Sequence, residues 1–318
     1  MEKHVSDLAE SLARLGHEIH ILAHPDYQKR FSNIHFHPCP MSLGRRNPWL
    51  LWKIKKSLKR IDPDVAHAHG NKAAALLGSM KTGAWQSVGT VHGSKSNTRP
   101  FAALDKAIAV SRSIYTQLNH PHRFLVYNGA AKTPEKTLSA PPHRPQGLNV
   151  IAAGRLEPVK GFDRLIQSWP TVLAARPDAR LTIFGDGSEM KRLKQIAKAP
   201  ENNSSITIAG YQSDLKTYLE SSDLLVISSL REGFPYVLVE ALLAECPVVS
   251  TPVSGCLELL PERALSPDFS ASAISETISK ALTDLEGLRE SEQKAFNFAK
   301  ESLTLEGMAR ATVVVYTA

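Results

Sequence analysis

Two glutamates, Glu232 and Glu240, bracket the stretch of the chain with the clearest chemical content, Glu232-Gly233-Phe234-Pro235-Tyr236-Val237-Leu238-Val239-Glu240. It follows the apolar run DLLVISS and leads into ALLAECPVVS, which reads as a strand, a loop and a helix with Pro235 in its first turn. Glu232 then stands in the loop at the strand's carboxyl end, and Glu240 about one turn inside the helix. Both carboxylates face one crevice. The backbone N–H groups that open the helix, near Tyr236, Val237 and Leu238, have no intrahelical acceptor and suit an anion such as a diphosphate.

A second stretch, Gly154-Arg155-Leu156-Glu157-Pro158-Val159-Lys160-Gly161-Phe162, leaves a strand and opens a helix with two cations at its mouth. Arg155 can grip phosphate oxygens with its forked guanidinium, and Lys160 adds a mobile point charge. Together they would neutralise a departing diphosphate. A third, Phe184-Gly185-Asp186-Gly187, puts small residues at a strand end, where Gly185 and Gly187 let backbone approach a ligand.

The elements that must position these residues are legible as alternation. Residues 2–15 set Val5, Leu8, Leu12 and Leu15 on one helical face, with Gly16 at the C-cap position. Strand-like runs follow at EIHIL, DVAHAH (64–69), SVGTVH (87–92), KAIAVS (106–111) and RFLVYN (123–128). The proline-rich stretch from Ala130 to Gly147 has no apolar periodicity and reads as an exposed linker. Alternation restarts with LNVIAAG, RLTIFGDG, SITIAG, DLLVISS and CPVVST. Residues 270–302 read as helix, and strand character returns only at VVVY (313–316). The expected fold class is α/β, with two doubly wound parallel sheets.

At 318 residues, 42% hydrophobic and 22% charged, the chain has material for two ordinary cores. No apolar run approaches the roughly 20 residues of a membrane span, and MEKHVSDLAE lacks a signal-peptide core, so a cytoplasmic protein is expected. Cys39, Cys246 and Cys256 form no C-x-x-C pair and read as small buried hydrophobes. The net charge of +7 is lopsided: residues 1–146 hold 21 Lys/Arg against 9 Asp/Glu, and all 12 histidines. Such asymmetry suits an anionic partner for the first half.

These motifs, in this order and with GHEIHIL, PDVAHAH, VGTVHG, IAVS, VYNGA, GRLEPVKGFDRLI and FGDGSEMKRL around them, resemble the family-4 retaining glycosyltransferases of the GT-B fold over nearly the whole chain. The resemblance implies two Rossmann-like doubly wound domains facing across a cleft: residues 1–130 on the acceptor side, a linker at 131–147, and a nucleotide-sugar domain at 148–300. A segment at 301–318 is expected to return to the first domain. It further implies that Arg155 and Lys160 hold the donor diphosphate, that Glu232 contacts the sugar hydroxyls and that Glu240 meets the ribose. Gly154, Gly185 and Gly187 would line the donor, backbone near Tyr211 would flank the base, and Gly233, Phe234, Pro235, Tyr236, Val237 and Leu238 would supply the phosphate-binding turn. His92, in TVHG, would reach the sugar from the first domain. The family normally begins with a strand and a glycine-rich loop; Met1 stands where that loop ends, so a sheet short of one central strand is expected.

The expected reaction is transfer of a hexose from a nucleotide diphosphate sugar to a glycan or glycolipid acceptor, without a cofactor or metal. Asp62-Pro63-Asp64 has the D-x-D pattern of metal-dependent transferases but makes a turn before a strand. His67 and His69 share a strand face with no third ligand in view. Residues 45–61 carry a basic face and an apolar row at Leu51, Ile54, Leu58 and Ile61, which suits either packing on the sheet or rest on an anionic membrane. Nucleic acid is disfavoured as a partner, since the basic residues lack a recognition motif. The competing functions are a donor-binding scaffold without turnover, favoured by the absent loop, and a nucleotide-sugar epimerase of the same architecture.

Overall fold

The structure is a computed structural model that describes residues 1–31, 34–80, 84–93, 97–132, 147–202 and 204–318. Residues 133–146 of the expected linker lie outside the described residues. The chain forms two compact units, Met1–Gly129 with Thr304–Ala318, and Ala130–Leu303.

The first unit begins with α1 (Glu2–Arg14), β1 (His20–Ala23), β2 (His35–Pro38), α2 (Pro48–Ile61), β3 (Val65–His69) and α3 (Gly70–Gly78). It continues through β4 (Gln86–Val91), β5 (Lys106–Ala109), α4 (Arg112–Gln117) and β6 (Arg123–Leu125). All strand pairs are parallel, but they form two sheets rather than one: β1-β2, and β3-β4-β5-β6. Leu8, Leu12, Val88, Ile108, Val126 and Met308 make one apolar cluster; Cys39, Leu50, Ile54, Leu76 and Met80 make another. Asn47 caps α2, its side-chain oxygen accepting from the Trp49 and Leu50 amides.

The second unit holds β7 (Leu148–Ala153), α5 (Phe162–Ala175), β8 (Ala179–Phe184), α6 (Met190–Ala197), β9 (Ile206–Gly210) and α7 (Lys216–Ser221). After these come β10 (Leu224–Ile227), α8 (Tyr236–Leu243), β11 (Val248–Ser250), α9 (Cys256–Leu259), α10 (Ala271–Thr283), α11 (Leu285–Ser291) and α12 (Gln293–Ser302). Its five parallel strands are ordered β11-β10-β7-β8-β9. The chain winds outward from β7 through β8 to β9, then restarts at β10 on the other side. That reversal leaves a crevice beyond the carboxyl ends of β7 and β10. Fully buried Glu292 receives the Val248 amide with both oxygens, and burial pushes its carboxyl up to about 8. All three cysteines are free and buried.

The final helix, α13 (Leu305–Thr317), packs on α1 in the first unit. Lys106 donates to Val315 O at 2.8 Å, and the Tyr316 hydroxyl meets His67 Nδ1 at 2.7 Å. VVVY therefore lies in a helix, correcting the strand character expected at 313–316. The buried positions Met308, Ala309, Thr312 and Val315 recur at helical spacing. In α2 the deepest residue is Leu50, which the expected apolar row omitted, with Leu51, Ile54 and Leu58 beside it. Strand β2 was not anticipated, since His-Phe-His-Pro has no apolar run.

Candidate active site

Three loops converge at the crevice of the second unit because backbone bonds sew them together. The loop after β7 is tied to the one after β8 by Leu156 N–H to Asp186 O (2.8 Å) and Glu189 N–H to Leu156 O (2.8 Å). Ser188 adds a hydroxyl bond to Glu157 at 2.8 Å. The loop after β10 is tied to the first by Leu230 N–H to Val159 O (2.8 Å) and by the Ser228 hydroxyl to Lys160 O (2.9 Å). Gly161 is needed at this seam: its φ is +63°, and a Cβ there would lie 2.2 Å from Ser228 O.

The seam brings Lys160 to Glu232. The ammonium donates to Oε1 at 2.5 Å, and the Ser229 hydroxyl donates to the same oxygen at 2.7 Å. Both side chains are largely shielded, with 19% and 14% of their surface exposed, so the pair is held more firmly than a surface ion pair. Lys160 reaches it by passing over Gly154, where a Cβ would be 3.6 Å from Lys160 Cε. Arg155 is exposed, and its guanidinium has neither a hydrogen-bond nor an ion-pair partner among the described residues. It is available to an anion arriving from solvent.

Helix α8 starts beside this pair. Pro235, with extended backbone, precedes the helix as its N-cap rather than entering its first turn, and no side chain caps the end. The amides of Tyr236, Val237 and Leu238 thus head an uncapped helix. Gly233, Phe234 and Pro235 are buried beneath it; Leu238 points into the core, leaving only its amide for a ligand. Glu240, the fifth residue of α8, is half-buried. Gly185 and Gly187 follow β8, and Gly185 N–H donates to Gly210 O at the end of β9. Tyr211, next along, is 74% exposed, as an open platform would be.

His92 belongs to the first unit. It follows β4, where its Nε2 lies 3.1 Å from Nδ1 of His69. His4, from α1, meets the His92 ring edge-on, oriented by its Nδ1 contact with Asn128 Oδ1 at 3.0 Å. His4, His69 and His92 each place one ring nitrogen within 4.8 Å of the others'. The expectation that His67 and His69 have no third ligand nearby is corrected for His69, because topology gathers His4 from α1 and His92 from the end of β4, which spacing does not relate to it. Burial pushes His4 down to about 4 and holds His69 and His92 well below the usual histidine range, so these rings are neutral at physiological pH. His67 is spent on Tyr316 and Thr90.

Sequence reasoning missed Ser229 and Ser228, which orient Glu232 and the Lys160 backbone. Their signal was a polar pair ending an otherwise apolar strand.

Residues 136–300 match the family described as glycosyl transferases group 1, and residues 1–132 match glycosyltransferase family 4. An uncharacterized glycosyltransferase of Haemophilus influenzae is 32% identical over 131 residues, which cover 41% of this chain and 34% of that protein. The chain thus spans about a third of that relative. The N-acetyl-alpha-D-glucosaminyl L-malate synthase of Bacillus anthracis is 23% identical over 292 residues, covering 80% of this chain and 76% of its own length. Among solved structures, Anabaena Alr3699/HepE in complex with UDP-glucose superposes with a TM-score of 0.81 at 19% identity, covering 100% of this chain and 96% of that one, a likeness of fold. With two parallel α/β units and a group 1 match across more than half its length, the chain belongs to the glycosyl transferases of group 1, of the GT-B fold.

Proposed function

We propose that this protein is a retaining glycosyltransferase that moves a hexose from a uridine diphosphate sugar to a glycan or glycolipid acceptor. The observation that carries the reading is the convergence of Lys160, Glu232 and the uncapped start of α8 at the switch point of one parallel sheet. As the anomeric C–O bond breaks, negative charge grows on the departing diphosphate. Lys160 and the amides of Tyr236 to Leu238 are held where that charge develops and Arg155 closes on it from solvent, so together they favour the transition state over the ground state. Glu232 aligns the Lys160 ammonium and offers its second oxygen to sugar hydroxyls; Glu240 suits a ribose. The neutral ring of His92 suits a hydrogen bond to a sugar hydroxyl. The acceptor oxygen attacks the face from which the diphosphate leaves, and its proton passes to a diphosphate oxygen. No glycosyl-enzyme bond forms.

The Anabaena relative's complex with UDP-glucose supports the choice of nucleotide. Assembly of lipopolysaccharide core or exopolysaccharide is the process we assign, in keeping with the basic first half of the chain. Metal is not needed in this scheme, because protein cations occupy its role. UDP should raise the melting temperature, and a UDP-hexose should be turned over with a glycan acceptor, equally well after chelation of divalent cations. If no nucleoside diphosphate shifts the melting curve of the folded protein, the donor site is misassigned. Turnover without an acceptor would favour the epimerase, and binding without turnover the scaffold.

A second reading concerns location. No helix among the described residues is long and apolar enough to cross a membrane. On α2, however, Trp49 and Trp52 are 53% and 56% exposed, with Lys53 and Lys56 stacked over their rings. Indoles on a basic face suit the headgroup layer of an anionic membrane. We propose peripheral attachment there, on the cytoplasmic side. Vesicles rich in anionic lipid should retain the protein at low salt and release it at high salt, and a W49A/W52A variant should be retained poorly. Equal retention of the variant would exclude α2.

A further inference from the structure

Four side chains with metal-binding chemistry meet on one face of the β1-β2 sheet, and none of them is assigned to the transfer. Alternate residues of an extended chain point to one side, so Glu18 and His20 share a face, as do His35 and His37. Parallel pairing sets His20 opposite His35 and Leu22 opposite His37. The two faces coincide. The His20 ring stacks on His35 and on His37, with centroids 4.7 and 5.1 Å away and interplanar angles of 18° and 15°.

The polar atoms converge at the outer end of this stack. His20 Nε2 lies 3.0 Å from Glu18 Oε1, and His35 Nε2 lies 3.6 Å from the same oxygen. One ligand atom from each of the three lies within 4.8 Å of the others'. The longer of the two distances is no hydrogen bond, yet it suits two ligands of one ion, since donors at about 2.0–2.2 Å from a tetrahedral metal stand roughly 3.3 Å apart. The His20 side chain is 22% exposed, against 63% for His35 and 72% for Glu18. One ligand is thus anchored in the fold and two face solvent, where water can take the remaining positions.

A second layer stands behind His20. Arg60, on α2, approaches His37 Nδ1 at 3.2 Å, and His37 Nε2 lies 2.9 Å from His20 Nδ1. A guanidinium only donates, so His37 carries its proton on Nε2 and donates it to His20 Nδ1, while His20 donates from Nε2 to Glu18. A cation on His20 Nε2 reverses this chain. His20 then donates from Nδ1 to His37 Nε2, the orienting bond typical of metal-ligating histidines, and Arg60 releases His37 Nδ1, which becomes protonated as His20 Nε2 gives its proton up. Burial, with the His20 ring and the Arg60 cation nearby, holds His37 below the usual histidine range, so it is neutral and able to accept.

We propose that Glu18, His20 and His35 form a zinc site, with His37 orienting His20. Two imidazoles and a carboxylate suit this borderline cation better than Mg²⁺ or Ca²⁺, which favour oxygen shells. The ion clips the entry of β1 to β2, two poorly covered strands that pair only with each other among the described residues.

The test is calorimetric titration of Zn²⁺ into the untagged chain after chelation, with thermal melting and amide hydrogen exchange alongside. Zn²⁺ should bind, slow exchange over residues 20–23 and 35–37 and raise the melting temperature, and Mg²⁺ should do none of these. An H37A variant should bind about 10–100-fold more weakly, the cost of a lost orienting partner, and H35A, which loses a ligand, at least as weakly. His35 is exposed, so H35A should melt as the parent does without metal. R60A should bind more tightly, because a competing donor and a repelling charge are gone. Zinc affinity and protection left unchanged in H20A/H35A would overturn the proposal, and their loss in H4A instead would move the ion to His4, His69 and His92. None of these readouts uses the donor crevice, so this inference and the assigned activity fail separately.

Discussion

Replacing Lys160 with alanine is expected to lower kcat about 10²–10³-fold, or roughly 2.7–4 kcal/mol of transition-state stabilisation, with little change in melting temperature. Among the described residues the ammonium is the one cation of this site already held in place, at 2.5 Å from Glu232 and between two loops bonded through the Lys160 and Val159 carbonyls. Those seams use backbone, so the alanine variant keeps them. What it loses is a fixed positive charge facing the diphosphate, and it leaves Glu232 with Ser229 as its side-chain donor among the described residues. Arg155, exposed and unheld, must be ordered by the ligand, so its removal should raise KM more than it lowers kcat. Because Lys160 and Glu232 act as a unit, the double variant K160A/E232Q should be about as slow as K160A alone. A K160A enzyme that keeps more than about a tenth of wild-type kcat would take the ammonium out of the chemistry, and additive losses would uncouple the pair.

The fold class was legible because parallel strands covered on both faces read as apolar runs, as Leu224–Ile227 and Val248–Ser250 do. Where a strand lacks that cover the signal fails: His35-Phe36-His37-Pro38 pairs only with β1 and shows no run at all. The reverse error occurred at Val313-Val314-Val315-Tyr316, where β-branched residues suggest a strand although burial by α1 and β5 selects the helix. In the crevice, residue types and strand-end placement pointed to Lys160 and Glu232 separately, but their direct bond joins positions that only the reversal between β7 and β10 makes neighbours. The histidines show the same limit. His67 and His69 share a strand and so a visible spacing, while His4 enters from α1 with nothing in its surroundings to announce it. The two serines after β10 could have been read as partners for a loop carboxylate, since a buried strand has no other use for adjacent hydroxyls at its end.

The largest loss of stability is expected from Gly185→Ala. Gly185 has φ near +143°, and a Cβ there would fall 1.8 Å from Gly154 O, a backbone atom that cannot rotate aside. The position lies where β7, β8 and β9 end together: Gly154 N–H donates to Phe184 O at 3.0 Å, and Gly185 N–H to Gly210 O at 2.8 Å. Relieving the collision means separating these strand ends, which breaks those bonds and pulls apart the loops that carry Arg155 and Asp186. The combined cost is about 3 kcal/mol or more, a fall of about 6–12 °C in the melting temperature of a unit this size. Gly210→Ala separates conformational strain from collision. Gly210 also has a positive φ, +81°, but a Cβ there meets nothing within 4 Å, so it should cost only about 1–2 kcal/mol. If thermal unfolding gives the two variants the same loss, the strand ends yield freely and the crevice is softer than its backbone bonds imply. If Gly185→Ala alone falls steeply and also loses its melting response to UDP, one carbonyl contact holds both the sheet's end and the donor loops in register.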